Sequence, residues 1–514
     1  MNSQSRVLLI HPPVVRPCEP PPGIARLAGA LAWHGVECEI LDANIEGLEY
    51  LLNSPAPAMD TWTRRAVTGI QRNLNALREP GTYTRLDRYR QAVLDLNRVL
   101  TQKGKTADVE ITLSNYQDAA LSPLNSGHLL SAFESPEKNC FFPYFENRLR
   151  ELITAKRPDL IGISVNFLPQ ALCAFAMIGA LKRLDSKVRI MMGGGLVTSW
   201  MKRPEWQNPF SGIIDTLVCG PGEQALLAAL GIVITDEYPL PCFDGFSLDA
   251  YLSPGRVMPY SASSGCYWRK CAFCPERAEK NPYRPIPPAL VLTQLTFLAD
   301  RYRPALIHLT DNAVSPALLK ALAGAPRIAP WYGFVRITAA LVDPEFCRRL
   351  KRSGCVMLQV GLESGSQRVL NAFGKGIDLT LAAKALDCLK AAGIATYVYL
   401  LFGTPWETEA DAEKTLAFTV VHHRAISFLN LAVFNLPAYG PEADLLLTGD
   451  FYDGDLSLYR NFSHPSGWDR HRVRQFLDKK FKRHPNVADI VRRDPPVFTS
   501  NHAPFIQTVS SSHR

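Results

Sequence analysis

The chain has 514 residues, 47% apolar and 20% charged, an ordinary globular composition and more chain than one hydrophobic core organises, so two or three domains are expected. Its 56 basic and 48 acidic residues leave a net +8, much of the excess falling near the C-terminus, a mild field that steers anions but does not suit nucleic-acid binding. No apolar run reaches the roughly 18 to 20 residues of a membrane helix; MNSQSRVLLIHPP has no secretory core and most of the 12 cysteines sit singly in apolar runs, which predicts a cytoplasmic protein without a disulfide framework.

From Arg6 the pattern is a β-rich run (VLLIHPP), a Pro-rich loop, an apolar helix (GIARLAGALAWHG) closed by Gly35, and a second strand (ECEILDA). The alternation resumes with strand 159–165, helix 171–184, strand 187–195, strand 215–220 and helix 223–230. Helices recurring between continuously apolar strands imply a parallel sheet covered on both faces. Residues 1–236 are therefore expected to form a doubly wound α/β domain. Residues 50–150 break its rhythm: they carry a helix near 85–100 and a turn-rich remainder, and form either a substrate-facing lid or an elaboration of the domain edge. A segment rich in Pro, Asp and Gly at 237–256 is expected to be a linker.

Beyond it a second alternation runs through VMPYSAS, a helix near 288–302, ALIHLT, SPALLKALAG, WYGFVRI, DPEFCRRLKRSG, CVMLQVGLE, LTLAAKALDCLKAAG, IATYVYLLFG, TEADAEKTLAFTVVHH and ISFLNLAVFN. Six strands with helices between them predict a (β/α)6 partial barrel over 257–440. Thr408 with Asp411 makes a capping-box start, and Gly393 closes the helix before. Residues 441–514 form a C-terminal extension with an amphipathic segment, RHRVRQFLDKKFKRH, in which Val473, Phe476, Leu477 and Phe481 share one face and the basic residues the solvated one. The last dozen residues are expected to be disordered.

Chemistry concentrates in SSGCYWRKCAFCPERAEKNPYRP, 263–285, where Cys266, Cys271 and Cys274 crowd a loop just after the first barrel strand, the reactive end of such barrels. A structural zinc site is normally closed by four ligands, and the nearest further candidates, Cys242 and His308, are distant in sequence. A cubane iron–sulfur cluster held by three thiolates keeps one iron open to a small molecule. Zinc, cluster and unliganded thiols all remain open on the residues alone.

The loop resembles the cluster motif of radical S-adenosylmethionine (SAM) enzymes, although four residues rather than the usual three separate Cys266 from Cys271. VGLESGSQRVLNAFGKGIDL (360–379) and YLLFGTPWET (399–408) are similar to the fourth- and fifth-strand signatures of the subgroup that carries an N-terminal cobalamin-binding domain. The resemblance covers about residues 5 to 440. It implies a [4Fe–4S] cluster on Cys266, Cys271 and Cys274, and SAM contacts from Phe273 beside the adenine, Asp311 and Asn312 at the amino group, Arg336 at the carboxylate, Glu363 with Ser364 at a ribose hydroxyl or amine, and Gly403 at adenine or methionine. Three of these have a plain alternative: a capping pair for Asp311 and Asn312, a surface arginine for Arg336 and a turn glycine for Gly403. No catalytic residue beyond these is named.

The first domain resembles the cobalamin-binding fold through HPPVVRPCEPPPGIARLAGAL, GISVNF, GGGLVTS and VCGPGE. Ser164, Gly193, Gly194, Gly195 and Gly220 would let a corrin or its tail approach the backbone, or are simply tight turns. The D-x-H-x-x-G signature of a cobalt-ligating histidine is absent, and His11 lacks its spacing. The resemblance implies reductive cleavage of SAM to a 5′-deoxyadenosyl radical that abstracts hydrogen from an unactivated C–H bond, with cobalamin as the methyl carrier of a C-methyltransferase. It further implies a small-molecule or peptide substrate and an electron donor of flavodoxin or ferredoxin type. Cyclisation, rearrangement or oxidation without cobalamin, a tRNA methylthiotransferase, and a zinc-stabilised binding protein are the competing readings.

Overall fold

The computed structural model describes residues 6–55, 60–204, 206–233, 238–451, 453–496 and 502–511. The chain divides into two compact units, Met1–Pro254 with Tyr452–Leu458 and Gly255–Phe451 with Tyr459–Arg514. Among the described residues no helix is long and apolar enough to cross a membrane.

In the first unit β1 (Arg6–His11), β2 (Glu37–Asp42), β3 (Leu160–Ser164), β4 (Ile190–Gly193) and β5 (Thr216–Leu217) form a parallel sheet in the order β2-β1-β3-β4-β5. β3 is buried along its whole length, as a strand covered on both faces must be. The winding reverses between β1 and β3, which opens a crevice at their carboxyl ends. The helix Leu168–Leu184 is buried continuously from Gln170 to Leu181, and a helix apolar all round needs cover on every side. Two helices of the 50–150 segment, Ser126–Glu134 and Phe142–Lys156, supply it. Gly179 lies so close to them that a Cβ there would stand 2.1 Å from the Phe133 carbonyl oxygen. This part of the insertion is thus a packed layer of the domain.

The stretch 237–256, expected as a linker, behaves otherwise from 238 to 254; Glu237 lies outside the described residues. Phe243 and Tyr251 are buried, the Cys242 N–H donates to the Ala25 carbonyl at 2.9 Å, and the Tyr251 hydroxyl donates to Asp42. Its aromatic residues, diluted among prolines, carry the packing.

In the second unit β6 (Val257–Tyr260), β7 (Leu306–Leu309), β8 (Trp331–Val335), β9 (Cys355–Glu363), β10 (Ala395–Phe402) and β11 (Phe428–Val433) are parallel and neighbour one another in sequence order. A helix crosses over between each pair, from Pro288–Tyr302 to Glu409–His422, which is the expected partial barrel. Its amino-terminal end is filled by Val257, Leu306, Tyr332, Met357, Tyr397 and Phe428 together with Ala503. Ala503 belongs to a helix, His502–Ser511, whose His502 ring stacks on Tyr397 with centroids 4.1 Å apart. The expectation of disorder there is corrected; residues 512–514 lie outside the described residues.

The basic amphipathic segment folds as Arg470–Phe476 continued by a wider turn, Leu477–Phe481. Val473, Phe476, Leu477 and Phe481 are all buried, and Phe481 meets Phe402 of β10 edge-on at 5.4 Å. A small antiparallel sheet of Leu436–Pro437, Tyr459–Phe462 and Thr448–Asp450 was not expected.

Candidate active site

The cysteine loop leaves β6 at Tyr260 and is fixed at its root by Asp311, from the end of β7. Asp311 accepts from the Ala262 N–H at 3.1 Å and from the Ser263 hydroxyl, and burial raises its pKa against those donors. Ser263–Ser264 pairs antiparallel with Arg284–Pro285, which closes the excursion between them. Within it Cys271 is buried, Cys266 and Cys274 are half-buried, and all three are free thiols. The Cys274 N–H donates to the Cys271 carbonyl at 3.2 Å.

The return from β9 grips this loop. The Ala272 N–H donates to the Phe373 carbonyl at 2.9 Å, the Trp268 indole N–H donates to the Gly374 carbonyl at 2.9 Å, and Phe273 meets Phe373 edge-on at 5.0 Å. Gly376, at φ +65°, lies under the indole; a Cβ there would come 2.2 Å from Trp268 Cζ2. Arg336, from just beyond β8, places its Cζ 3.9 Å from the Trp268 ring centroid. It donates from Nη1 to Cys271 Sγ at 3.8 Å and from Nη2 to the Lys375 carbonyl. Lys375 Nζ pairs with Glu363 Oε1 at 2.7 Å, the two side chains 7% and 12% exposed. Burial raises the Cys271 pKa while Lys375 and Arg336 pull it down; burial pushes Cys274 up to about 11.

Two cations beside the buried Cys271 thiol favour its thiolate form. Among the described residues no three His, Cys, Asp or Glu side chains stand close enough to hold a single metal ion. Three thiolates leave a structural zinc site one protein ligand short, whereas they suit a cubane that keeps one iron open; by ligand count the residues fit an iron–sulfur cluster.

Of the residues expected at the SAM site, Phe273, Arg336 and Glu363 gather on the cysteine loop. Glu363 takes φ +69° at a register shift in β9, which turns it to Lys375. Asn312 is exposed and bonds Glu276, two residues past Cys274; Asp311 is spent on the loop root. Ser364 is placed elsewhere: fully buried, it accepts from the Ser366 N–H at 3.1 Å and contacts the Thr415 hydroxyl at 3.3 Å. Gly403, at φ +77°, approaches Val473 of the C-terminal segment, 3.2 Å from a notional Cβ. Trp268 and Lys375 were not anticipated; the GKG run flanking Lys375 was the available signal for it.

In the first unit Ser164 and Gly193 lie opposite each other in register at the carboxyl ends of β3 and β4. Gly194 is demanded by packing, since a Cβ would overlap the Val165 backbone at 2.4 Å. The Gly195 N–H donates to Asn166 and the Gly220 N–H to Thr198, both at 2.9 Å, while the space beside Gly220 is open. Ser164 accepts from Asn166 at 3.1 Å. The five gather on one edge of the sheet. His11 is buried, and burial lowers its pKa.

The sequence model of the Radical SAM superfamily matches residues 260–419. This segment is a radical SAM domain. The chain is 24% identical over 310 residues to an uncharacterized methyltransferase of Pyrococcus horikoshii, covering 52% of this chain and 66% of that one. It is 21% identical over 315 residues to an anaerobic magnesium-protoporphyrin IX monomethyl ester cyclase of Rubrivivax gelatinosus, covering 52% and 55%. The chain thus spans between about half and two thirds of the length of these two curated relatives. Among solved structures it is similar to the radical SAM methyltransferase TsrM of Kitasatospora setae with tryptophan substrate and a SAM analogue bound, with TM-score 0.59, 16% identity, and 99% and 95% of the two chains covered. It is also similar to the cobalamin-dependent radical SAM enzyme OxsB with aqua-cobalamin bound, with TM-score 0.53, 13% identity, and 100% and 61% covered. The two units therefore share the folds of these two solved enzymes.

Proposed function

We propose that this chain is a radical SAM enzyme that binds a [4Fe–4S] cluster through Cys266, Cys271 and Cys274, binds cobalamin at the carboxyl edge of the first sheet, and methylates an unactivated carbon of a small molecule or peptide. The observation that carries the reading is the buried cationic pair, Arg336 and Lys375, held by Trp268 and Glu363 against a three-thiol loop at the reactive end of a parallel barrel. When bound, the cluster would supply one electron to the sulfonium of SAM. The chain's own contribution is positional. Arg336 and Lys375 set positive charge beside Cys271; Phe273, Phe373 and Trp406 form an apolar wall that keeps water from the loop. Asp311 fixes the loop's root. At the edge of the first sheet, Gly220 leaves open backbone where a flat macrocycle or its tail could lie. A flavodoxin- or ferredoxin-type donor would feed electrons, and the 12 free thiols suit a cytoplasmic setting.

The test is anaerobic reconstitution with iron and sulfide, followed by SAM cleavage under dithionite. Wild-type cleavage no faster than that of Cys271→Ala sinks the proposal. A second reading, radical chemistry without methyl transfer, draws on the similarity to a cyclase. Cobalt absorption after reconstitution with cobalamin, and label transfer from methyl-labelled SAM, separate the two.

A further inference from the structure

The C-terminal segment covers the carboxyl ends of the last two barrel strands and leaves a cleft of about 440 Å³, lined by Gly403 after β10, Val433 and Phe434 of β11 and its exit, and Phe451, Arg460, Phe462, Trp468 and Arg470. That volume suits a one- or two-ring molecule. Its walls are aromatic: Phe434 and Phe462 meet edge-on at 5.8 Å, and Trp468 is fixed by its indole N–H on Glu407 at 3.0 Å.

The polar lining is unequally committed. Arg470 donates to Asn435 Oδ1 at 2.6 Å and to the Phe434 carbonyl at 3.3 Å, with its Cζ 5.1 Å from the Phe451 ring, so it is a fixed wall. His464 donates from Nε2 to the Thr404 carbonyl at 2.8 Å and accepts at Nδ1 from the Ser466 N–H at 3.2 Å, which marks a neutral ring. Asp469, the acidic lining residue, is turned to the start of its own helix, where it accepts from the Arg472 N–H at 2.9 Å. His471 is exposed and bonded to Gln475. Arg460 is exposed and faces Asp450 in register, yet among the described residues no side chain hydrogen-bonds or ion-pairs with it. A planar guanidinium without a partner, at the mouth of an aromatic cleft, is built to take a carboxylate through two parallel hydrogen bonds.

The cleft is coupled to the reactive loop. Phe434, Leu436 and Phe462 form one apolar cluster with Phe273, and Arg277, three residues past Cys274, pairs with Glu442. We propose that this cleft is the substrate subsite of the radical SAM domain and that it receives an aromatic carboxylic acid, the ring lying against the wall that Phe434, Phe462 and Trp468 form and the carboxylate on Arg460. The substrate assignment rests on the radical SAM reading; the binding chemistry does not.

The test uses the full chain without iron or SAM, titrated by calorimetry with 1-naphthoate, 1-naphthamide and 1-naphthyl phosphate. Wild type is expected to bind naphthoate more tightly than naphthamide. Arg460→Gln should weaken naphthoate about 10- to 100-fold, the value of a charge-assisted pair, leave naphthamide unchanged, and be partly rescued by Arg460→Lys. Unchanged naphthamide binding also shows that the variant is folded. Equal wild-type affinities for naphthoate and naphthamide, an Arg460→Gln protein that binds naphthoate normally, no binding at all, or naphthyl phosphate bound in preference to naphthoate would each overturn the proposal. Because no cluster is present, failure here leaves SAM cleavage untouched, and failure of SAM cleavage leaves this result standing.

Discussion

Glu407, in the turn after β10, is 1% exposed. Its Oε2 accepts from the Gly403 N–H at 2.5 Å and from the Trp468 indole at 3.0 Å, while Oε1 has no partner among the described residues. Burial lifts its pKa from 4.5 to about 7; the two donors and Arg368 pull it down, and Asp411 pushes it up. The folded chain therefore holds this proton more tightly than the unfolded one. Its stabilising contribution is fully present below pH 4.5, declines as pH rises through the interval to about 7, and is gone above it. A gap of about 2.5 on the pH scale, at about 1.4 kcal/mol for each step, makes the loss about 3 kcal/mol. Gln keeps an acceptor for Gly403 and Trp468 and does not ionise. In urea unfolding followed by tryptophan fluorescence, Glu407→Gln should match wild type at about pH 4, below the unfolded-state value, and exceed it by about 3 kcal/mol at pH 8. Parallel pH profiles for the two proteins would refute the reasoning.

Lys375→Met leaves the Glu363 carboxylate buried without its cation, and should cost about 3 to 5 kcal/mol in the same unfolding assay. The double variant Glu363→Gln/Lys375→Met should recover most of that, and a double variant no better than the single one would discount the pair. Gly376→Ala inserts a methyl 2.2 Å from Trp268 Cζ2 at a φ of +65°, so the indole must leave the Arg336 face. Iron retained per chain after anaerobic reconstitution should fall while far-ultraviolet circular dichroism stays unchanged, and full iron loading would show that the Trp268 contact is dispensable.

Much of the architecture was legible because parallel strands announce themselves as unbroken apolar runs. The six barrel strands and the strand–helix–strand opening were found that way, and the helix 409–422 through its capping box, in which Thr408 accepts from the Asp411 N–H. What escaped lacks periodicity. Leu436–Pro437 is two residues long and pairs with a strand more than twenty residues later, so it has no pattern to read. The final helix, HAPFIQTVSS, mixes polar and apolar residues without a clear period, and its described contacts are few, Ala503 in the barrel end and His502 on Tyr397. The 238–254 stretch misled through its prolines, which mark irregular backbone but say nothing about burial.

The site divides along a physical line. Three cysteines in nine residues are visible in sequence because thiols are scarce; Lys375 and Trp268 are not, because a buried lysine and a surface lysine are the same letter. Ser364 could not be placed by period: Glu363 ends its strand at φ +69° beside a register shift, which breaks the alternation, and Ser364 is found against Ser366 and Thr415. On the proposed reading, a loop that carries three thiolates needs cations that cannot drift into solvent, and neither β8 nor the β9 exit supplies one by position alone. Trp268 pins Arg336 by covering its face, Gly376 makes room for Trp268, and Glu363 anchors Lys375 at 2.7 Å. The aromatic ring, the glycine and the buried carboxylate therefore act as one device, which holds positive charge beside Cys271.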